Sequence, residues 1–156
     1  MTETTRFTTD AAEVHYLYTS DNSPVDDGTN VNEITHVTVD ASVKVISDEA
    51  FQKWHALKVV DLPEGLEKID ALAFHECESL EQINIPVSLK EIGKGAFSNC
   101  KRLSIQLVLP EGLQLIGPFA FEGCTSLTSI VIPSTVHTIS YEAFTRCTSL
   151  VNVEIK

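Results

Sequence analysis

The stretch LEQINIPVSLKEIGKGAFSNC, residues 80–100, holds a pattern that recurs along the chain and decides the fold. Its marker is phenylalanine, which returns at spacings of 23, 23, 24 and 23 residues, at Phe51, Phe74, Phe97, Phe121 and Phe144. An alanine precedes each one. Self-similarity at a short, fixed period is the signature of a repeat architecture, so the sequence predicts a stack of similar coils.

Within each repeat the spacing of the apolar residues changes from three to two. After Phe74, Cys77 and Leu80 follow at intervals of three, a spacing typical of a short 3₁₀ or α-helical turn. Ile83 and Ile85 then alternate with polar neighbours, as the residues of a half-buried strand do. Each repeat therefore predicts a short helical turn followed by a strand.

A proline ends four of these strands, and Pro86 is the example in the quoted stretch. Proline lacks the N–H that a strand ladder needs, so a turn is expected there. Leu89 and Ile92 follow three and six residues later and predict a second, shorter strand before the turn former Gly93.

The unit Leu-x-x-Ile-x-Ile-Pro-x-x-Leu-x-x-Ile-Gly-x-x-Ala-Phe-x-x-Cys resembles the BspA-type, or type 5, leucine-rich repeat, over residues 34–156. The segments Val14-His15-Tyr16-Leu17-Tyr18 and Val37-Thr38-Val39 are similar to the amino-terminal cap of short diatom leucine-rich-repeat proteins. The resemblance implies a scaffold for protein contacts. It also carries an alternative, a structural or surface-adhesion role, because repeats of this type occur in bacterial surface proteins.

The predicted fold is an α/β leucine-rich-repeat solenoid, rich in β structure. We expect about five coils of 23 residues, each with two short strands and a short helical turn. Residues 34–156 form the array, and residues 1–33 form an amino-terminal cap. The extra residue of the 24-residue unit lies within 104–106, where a local bulge is expected.

Composition narrows the possible functions. Of the 156 residues, 43% are hydrophobic, which suits one folded domain. The net charge of -11 argues against nucleic acid or an anionic membrane as a ligand, because both require a basic surface. The start, Met-Thr-Glu-Thr-Thr-Arg, lacks the apolar stretch of a signal peptide, which predicts a cytoplasmic protein.

Four cysteines and five histidines raise the question of a metal or catalytic site, with His75-Glu76-Cys77 as the place to look. Cysteine occupies the same repeat position each time, where it acts as a small buried hydrophobe. The histidines occupy different positions of the repeat, so stacking should not bring them together. We therefore predict no metal, no cofactor and no enzymatic activity.

A partner protein is expected to bind the exposed face of the first strands. Its outward positions carry mixed side chains, which favours a specific partner over a repetitive ligand such as ice. Val108 and Val131 form the predicted apolar centre. The predicted binding residues are Val59, Asp61, Gln82, Asn84, Gln106, Val108, Ser129 and Val131.

Residues 151–156 start another strand, so the chain is expected to be a monomer or a weak homodimer through this edge.

Overall fold

The computed structural model describes residues 8–10, 13–20, 30–103 and 106–156. It is a β-solenoid of about six turns. The helical structure in the described residues is a single 3₁₀ turn at Val31–Glu33. The strands, in chain order, are β1 (Thr8–Asp10), β2 (Glu13–Tyr18), β3 (His36–Val39), β4 (Val45–Ile46), β5 (Val59–Asp61), β6 (Lys68–Ile69), β7 (Gln82–Ile83), β8 (Glu91–Ile92), β9 (Leu107–Val108), β10 (Leu115–Ile116), β11 (Ser129–Ile132), β12 (Thr138–Ile139) and β13 (Asn152–Ile155).

Both predicted strands are present in the repeats and stack in parallel. The second strands form one continuous sheet in the order β12-β10-β8-β6-β4. The first strands form two sheets, β1-β2-β3-β5-β7 and β13-β11-β9. Among the described residues, no pairing joins β7 to β9. This interruption lies at the 24-residue unit, where a bulge was predicted; Ser104 and Ile105, on which that bulge would fall, lie outside the described residues.

The predicted helical turn is wrong, because the Ala-Phe segment is a run of tight turns. Ala50, Gln52 and Trp54 donate their N–H groups to the carbonyl three residues back. The residues between them behave differently: the N–H groups of Glu49, Phe51 and Lys53 donate to the next coil, to the carbonyls of 71, 73 and 75. Half of the N–H groups in this segment therefore build a third ladder of hydrogen bonds between coils. An α-helix would use all of these groups for bonds within the helix.

Left-handed backbone makes this alternation possible. The second residue before and the second residue after each phenylalanine have φ between 55° and 67°. Most of them are not glycine, although this conformation is uncommon for other residues. The ten positions are Glu49, Lys53, Leu72, Glu76, Gly95, Asn99, Phe119, Gly123, Glu142 and Arg146.

Ladders of equivalent residues form the core. The ring of Phe97 lies between those of Phe74 and Phe121, with both centroid distances at 5.3 Å and interplanar angles of 3° and 9°. At the amino end, Tyr18 packs edge-on against Phe51, and Tyr16 packs edge-on against Trp54. The stack has about six turns where five coils were predicted, because β13 begins a further turn after the fifth phenylalanine.

Candidate functional site

A groove runs along β5 and β7, on the face predicted to bind a partner. Its volume is about 630 Å³, and it lies beside β7, which has no strand partner from the next coil in the part of the chain that the structure describes. Four of the predicted binding residues line it: Val59, Asp61, Gln82 and Asn84. The lining set is Val59, Val60, Asp61, Glu81, Gln82, Ile83, Asn84, Arg102 and Ser126.

The groove combines apolar and charged groups. Val59 and Ile83 contribute apolar surface, and Arg102 bonds with Glu81 across neighbouring coils, with an Nη1 to Oε1 distance of 3.0 Å. Both side chains of this pair are more than two-fifths exposed, so water screens their attraction and leaves them available to a partner. Sequence reasoning missed Arg102 and Glu81, because both lie outside the strand positions from which the face was predicted.

Asn84 has a second role that the sequence did not indicate. Its Oδ1 accepts a hydrogen bond from the Leu62 N–H, and its Nδ2 donates one to the Leu62 carbonyl, both at 2.7 Å. Strand β7 ends at Ile83 and β5 ends at Asp61, so the Asn84 side chain supplies hydrogen-bond partners to the backbone of Leu62, the residue that follows β5. The groove floor is therefore held by a side-chain clamp at this point.

The two valines predicted as the apolar centre differ in their exposure. Val108 is 53% exposed, but Val131 is 7% exposed and cannot be an outward anchor. The cause is strand pairing: Val131 is flanked by Val108 on one side and by Glu154 on the other. In the described ranges, Val108 has a paired neighbour on one side only, because β9 and β7 belong to different sheets there.

The remaining predicted binding residues are accessible to different degrees. Gln82, Asn84, Gln106 and Asp61 are exposed, whereas Val59 and Ser129 are partly buried.

The edge strand β13 has all four residues exposed. In the described part of the chain it pairs on one side only, so a homodimer through this edge stays a prediction.

The cysteine row is unsuited to catalysis. Cys77, Cys100 and Cys124 are fully buried, and each Sγ donates to a phenylalanine carbonyl one coil back. Burial raises the pKa of the Cys77 thiol from its ordinary value of 9.0 to about 12. Burial likewise raises the pKa of Cys100 and Cys124. A buried thiol that keeps its proton is a poor nucleophile and a poor metal ligand.

Stacking brings one pair of histidines together, contrary to the prediction that they lie apart. His15 on β2 is in register with His36 on β3, and their rings stack with centroids 4.5 Å apart. Together with Glu13 they form the one group of three metal-capable side chains among the described residues. The prediction failed because His15 lies in the cap segment, to which the repeat pattern assigns no register. His75-Glu76-Cys77, the place first considered, forms no such group there.

Comparisons with known proteins identify the architecture. The model of the BspA type leucine rich repeat region matches in six copies over residues 29–151. The chain therefore belongs to the BspA-type leucine-rich-repeat family, and the resemblance drawn from its repeat unit is confirmed. No curated protein matches it.

Two solved structures are informative. One is a leucine rich cell surface protein from Faecalibacterium prausnitzii, 31% identical over 80% of this chain and 33% of that one, with a TM-score of 0.74. The other is the leucine rich repeat protein of T. pallidum, 36% identical over 78% of this chain and 56% of that one, with a TM-score of 0.75. The chain thus spans about a third and just over half of these relatives.

A third structure, a leucine-rich repeat protein from Bacteroides ovatus, is 23% identical over 99% of this chain and 52% of that one, with a TM-score of 0.55, and shows the fold alone. Within the described residues, no helix has the length and apolar character needed to cross a membrane.

Proposed function

We propose that this chain is a non-catalytic scaffold that binds a partner protein through the exposed face of its first strands. The observation that carries the proposal is the groove along β5 and β7, because it gathers Val59, Asp61, Gln82 and Asn84 on one open surface. The family supports a repeat scaffold of this kind. Catalysis is not part of the proposal, because three of the four thiols are fully buried, and burial raises the pKa of each of the three.

The shape of the face sets the size of the contact. Short strands spaced about 4.8 Å apart give a face smaller than the roughly 800 Å² per partner of a standard interface. The groove adds depth, and Val108 adds an exposed apolar group beyond the strand interruption. A partner segment lying in the groove and reaching Val108 would contact both sheets of first strands.

Capture experiments with matched variants test this function. Wild-type chain and Val87→Glu should retain the same partner, because Val87 is exposed in a turn and does not line the groove. Val108→Glu and Gln82→Arg should each lose it. Equal capture by all four proteins, each shown to be folded, would exclude the face as the binding surface.

Surface adhesion is the second candidate, favoured by the name of the Faecalibacterium relative as a cell surface protein. We propose the cytoplasmic scaffold as the first choice and expect no nucleic-acid or membrane binding, given the net charge of -11. Labelling intact source cells with a membrane-impermeant amine reagent separates the two: a labelled chain supports adhesion, and a chain protected until lysis supports the internal scaffold.

A further inference from the structure

Three side chains with metal-binding groups meet on one face at the amino end of the array. Glu13 and His15 are two residues apart on β2, so both side chains point to the same side of the sheet. The parallel register pairs His15 with His36 on β3. Strand geometry therefore places all three side chains on one surface, outside the groove described above.

The potential ligand atoms lie close together. The Nε2 atom of His15 is 3.6 Å from one carboxylate oxygen of Glu13, and Nε2 of His36 is 4.0 Å from the other. One nitrogen or oxygen from each residue lies within 4.8 Å of those of the other two. The side chains of His15 and His36 are 30% and 19% exposed, so the cluster is at the surface but partly sheltered.

Thr35 orients one of these imidazoles. Its Oγ1 accepts the Val14 N–H at 3.0 Å and lies 3.4 Å from the Val14 carbonyl, to which it donates. The same oxygen lies 2.9 Å from Nδ1 of His36. When Nδ1 of His36 carries the proton and donates it to this oxygen, Nε2, which lies toward Glu13, has its lone pair free, as a metal-ligating histidine requires.

We propose that Glu13, His15 and His36 bind one divalent transition-metal ion of the zinc class. Two imidazole nitrogens and one carboxylate oxygen form the ligand set of open zinc sites, with water completing the coordination. Nitrogen ligands disfavour calcium and magnesium, which prefer oxygen. Ligands of one zinc ion lie roughly 3.3 Å apart, so the two stacked rings must tilt toward each other on binding.

The site would join the cap to the array. Strand β2 carries Glu13 and His15, and β3 carries His36, so the ion would tie together two strands that hydrogen bonds already pair. Because the ion binds the folded chain and finds no preformed site in the unfolded one, it would raise the thermal midpoint.

Calorimetric titration of the full chain with zinc chloride tests the proposal, at about pH 7.5, where most imidazole is neutral. The wild type should bind one ion per chain. Glu13→Gln, His15→Gln and His36→Gln should each bind at least about tenfold more weakly, as expected when one ligand of three is lost. His137→Gln is the matched control, because His137 is exposed and outside the cluster, and it should bind like the wild type.

Circular dichroism of each variant shows whether its fold is retained, and Glu13→Gln keeps the shape of the side chain while removing its charge. X-ray absorption of the zinc-loaded chain reports the ligands independently, and nitrogen and oxygen neighbours without sulfur are expected. No saturable zinc binding, unchanged affinity in the folded Glu13→Gln, His15→Gln or His36→Gln variant, or sulfur in the zinc shell would each overturn the proposal.

Discussion

The side-chain amide of Asn84 makes two hydrogen bonds with the backbone of Leu62, one to its N–H and one to its carbonyl, each 2.7 Å long. Leu62 is buried and directly follows β5, and β7 ends at Ile83, so the Asn84 side chain reaches the Leu62 backbone just past the paired strands. The clamp holds the floor of the proposed binding groove, which links partner binding to local stability.

Removing this clamp should be costly. Asn84→Ala leaves two backbone groups of Leu62 unpaired, so we expect a loss of about 1–3 kcal/mol in the free energy of unfolding. Chemical denaturation measures it, with Asn152→Ala, an exposed asparagine on β13, as the control. A change below about 0.5 kcal/mol, as for an ordinary surface substitution, would show that water replaces the clamp without cost.

The phenylalanine ladder should contribute most at its centre. Phe97 is stacked on both sides and fully buried, so Phe97→Ala should lower the free energy of unfolding by about 3–5 kcal/mol. Phe144 is only partly buried and stacks on Phe121 alone among the phenylalanines, so Phe144→Ala should cost less. Equal losses in urea denaturation would contradict the ladder as the source of this difference.

The four thiols should separate into two classes. Three cysteines are fully buried, whereas Cys147 is only partly buried, which corrects the expectation of four equivalent buried residues. With a disulfide reagent such as Ellman's, Cys147 should react first in the native protein, and Cys77, Cys100 and Cys124 only after denaturation. A Cys147→Ser variant should then show no rapid phase; a rapid phase that persists would place the reactive thiol elsewhere.

Alkaline pH should weaken the fold. Burial raises the pKa of Cys77 from 9.0 to about 12, so the unfolded chain releases this proton at lower pH than the native chain does. The contribution to stability is complete below about pH 8 and is lost as pH rises from about 9 toward 12. Denaturation under reducing conditions should show this fall, and Cys77→Ala should show a shallower one. Identical slopes would mean that other groups dominate.

Two glycines provide a paired test of how closely the coils approach. A Cβ atom at Gly93 would lie 2.7 Å from the backbone carbonyl carbon of Asp70, whereas one at Gly65 would meet only the end of the flexible Lys44 side chain. Gly93→Ala should therefore destabilise the chain markedly, and Gly65→Ala should be close to neutral. Thermal unfolding of both variants decides this, and equal midpoints would count against the close contact.

The repeat pattern predicted the strands because their signal is local. Alternating apolar residues such as Ile130 and Ile132 indicate which side faces the core, and both are buried. The helical turn was wrong because a spacing of three also fits successive tight turns. The left-handed residues that distinguish the two are mostly not glycine, as at Leu72 and Phe119, so the sequence does not mark them.

The candidate sites were less predictable because they depend on contacts between segments that the repeat does not relate. Val131 is outward by pattern but buried by its two strand neighbours. The histidine pair depends on the register between β2 and β3, and the cap carries no repeat from which that register could be inferred. Pattern gives the side on which a residue lies, whereas exposure depends on the neighbouring strands.

Among the described residues, the hydrogen bonds between coils are unevenly distributed, because no pairing joins β7 to β9 there. Along the sheet of second strands and along the Ala-Phe turns, hydrogen bonds connect the coils on both sides of Phe97, so these two walls resist stretching. The sheets of first strands have no such hydrogen bonds between β7 and β9 in the described residues. Within the described residues, the second strands and the Ala-Phe turns therefore carry the hydrogen bonds that connect the coils past the groove.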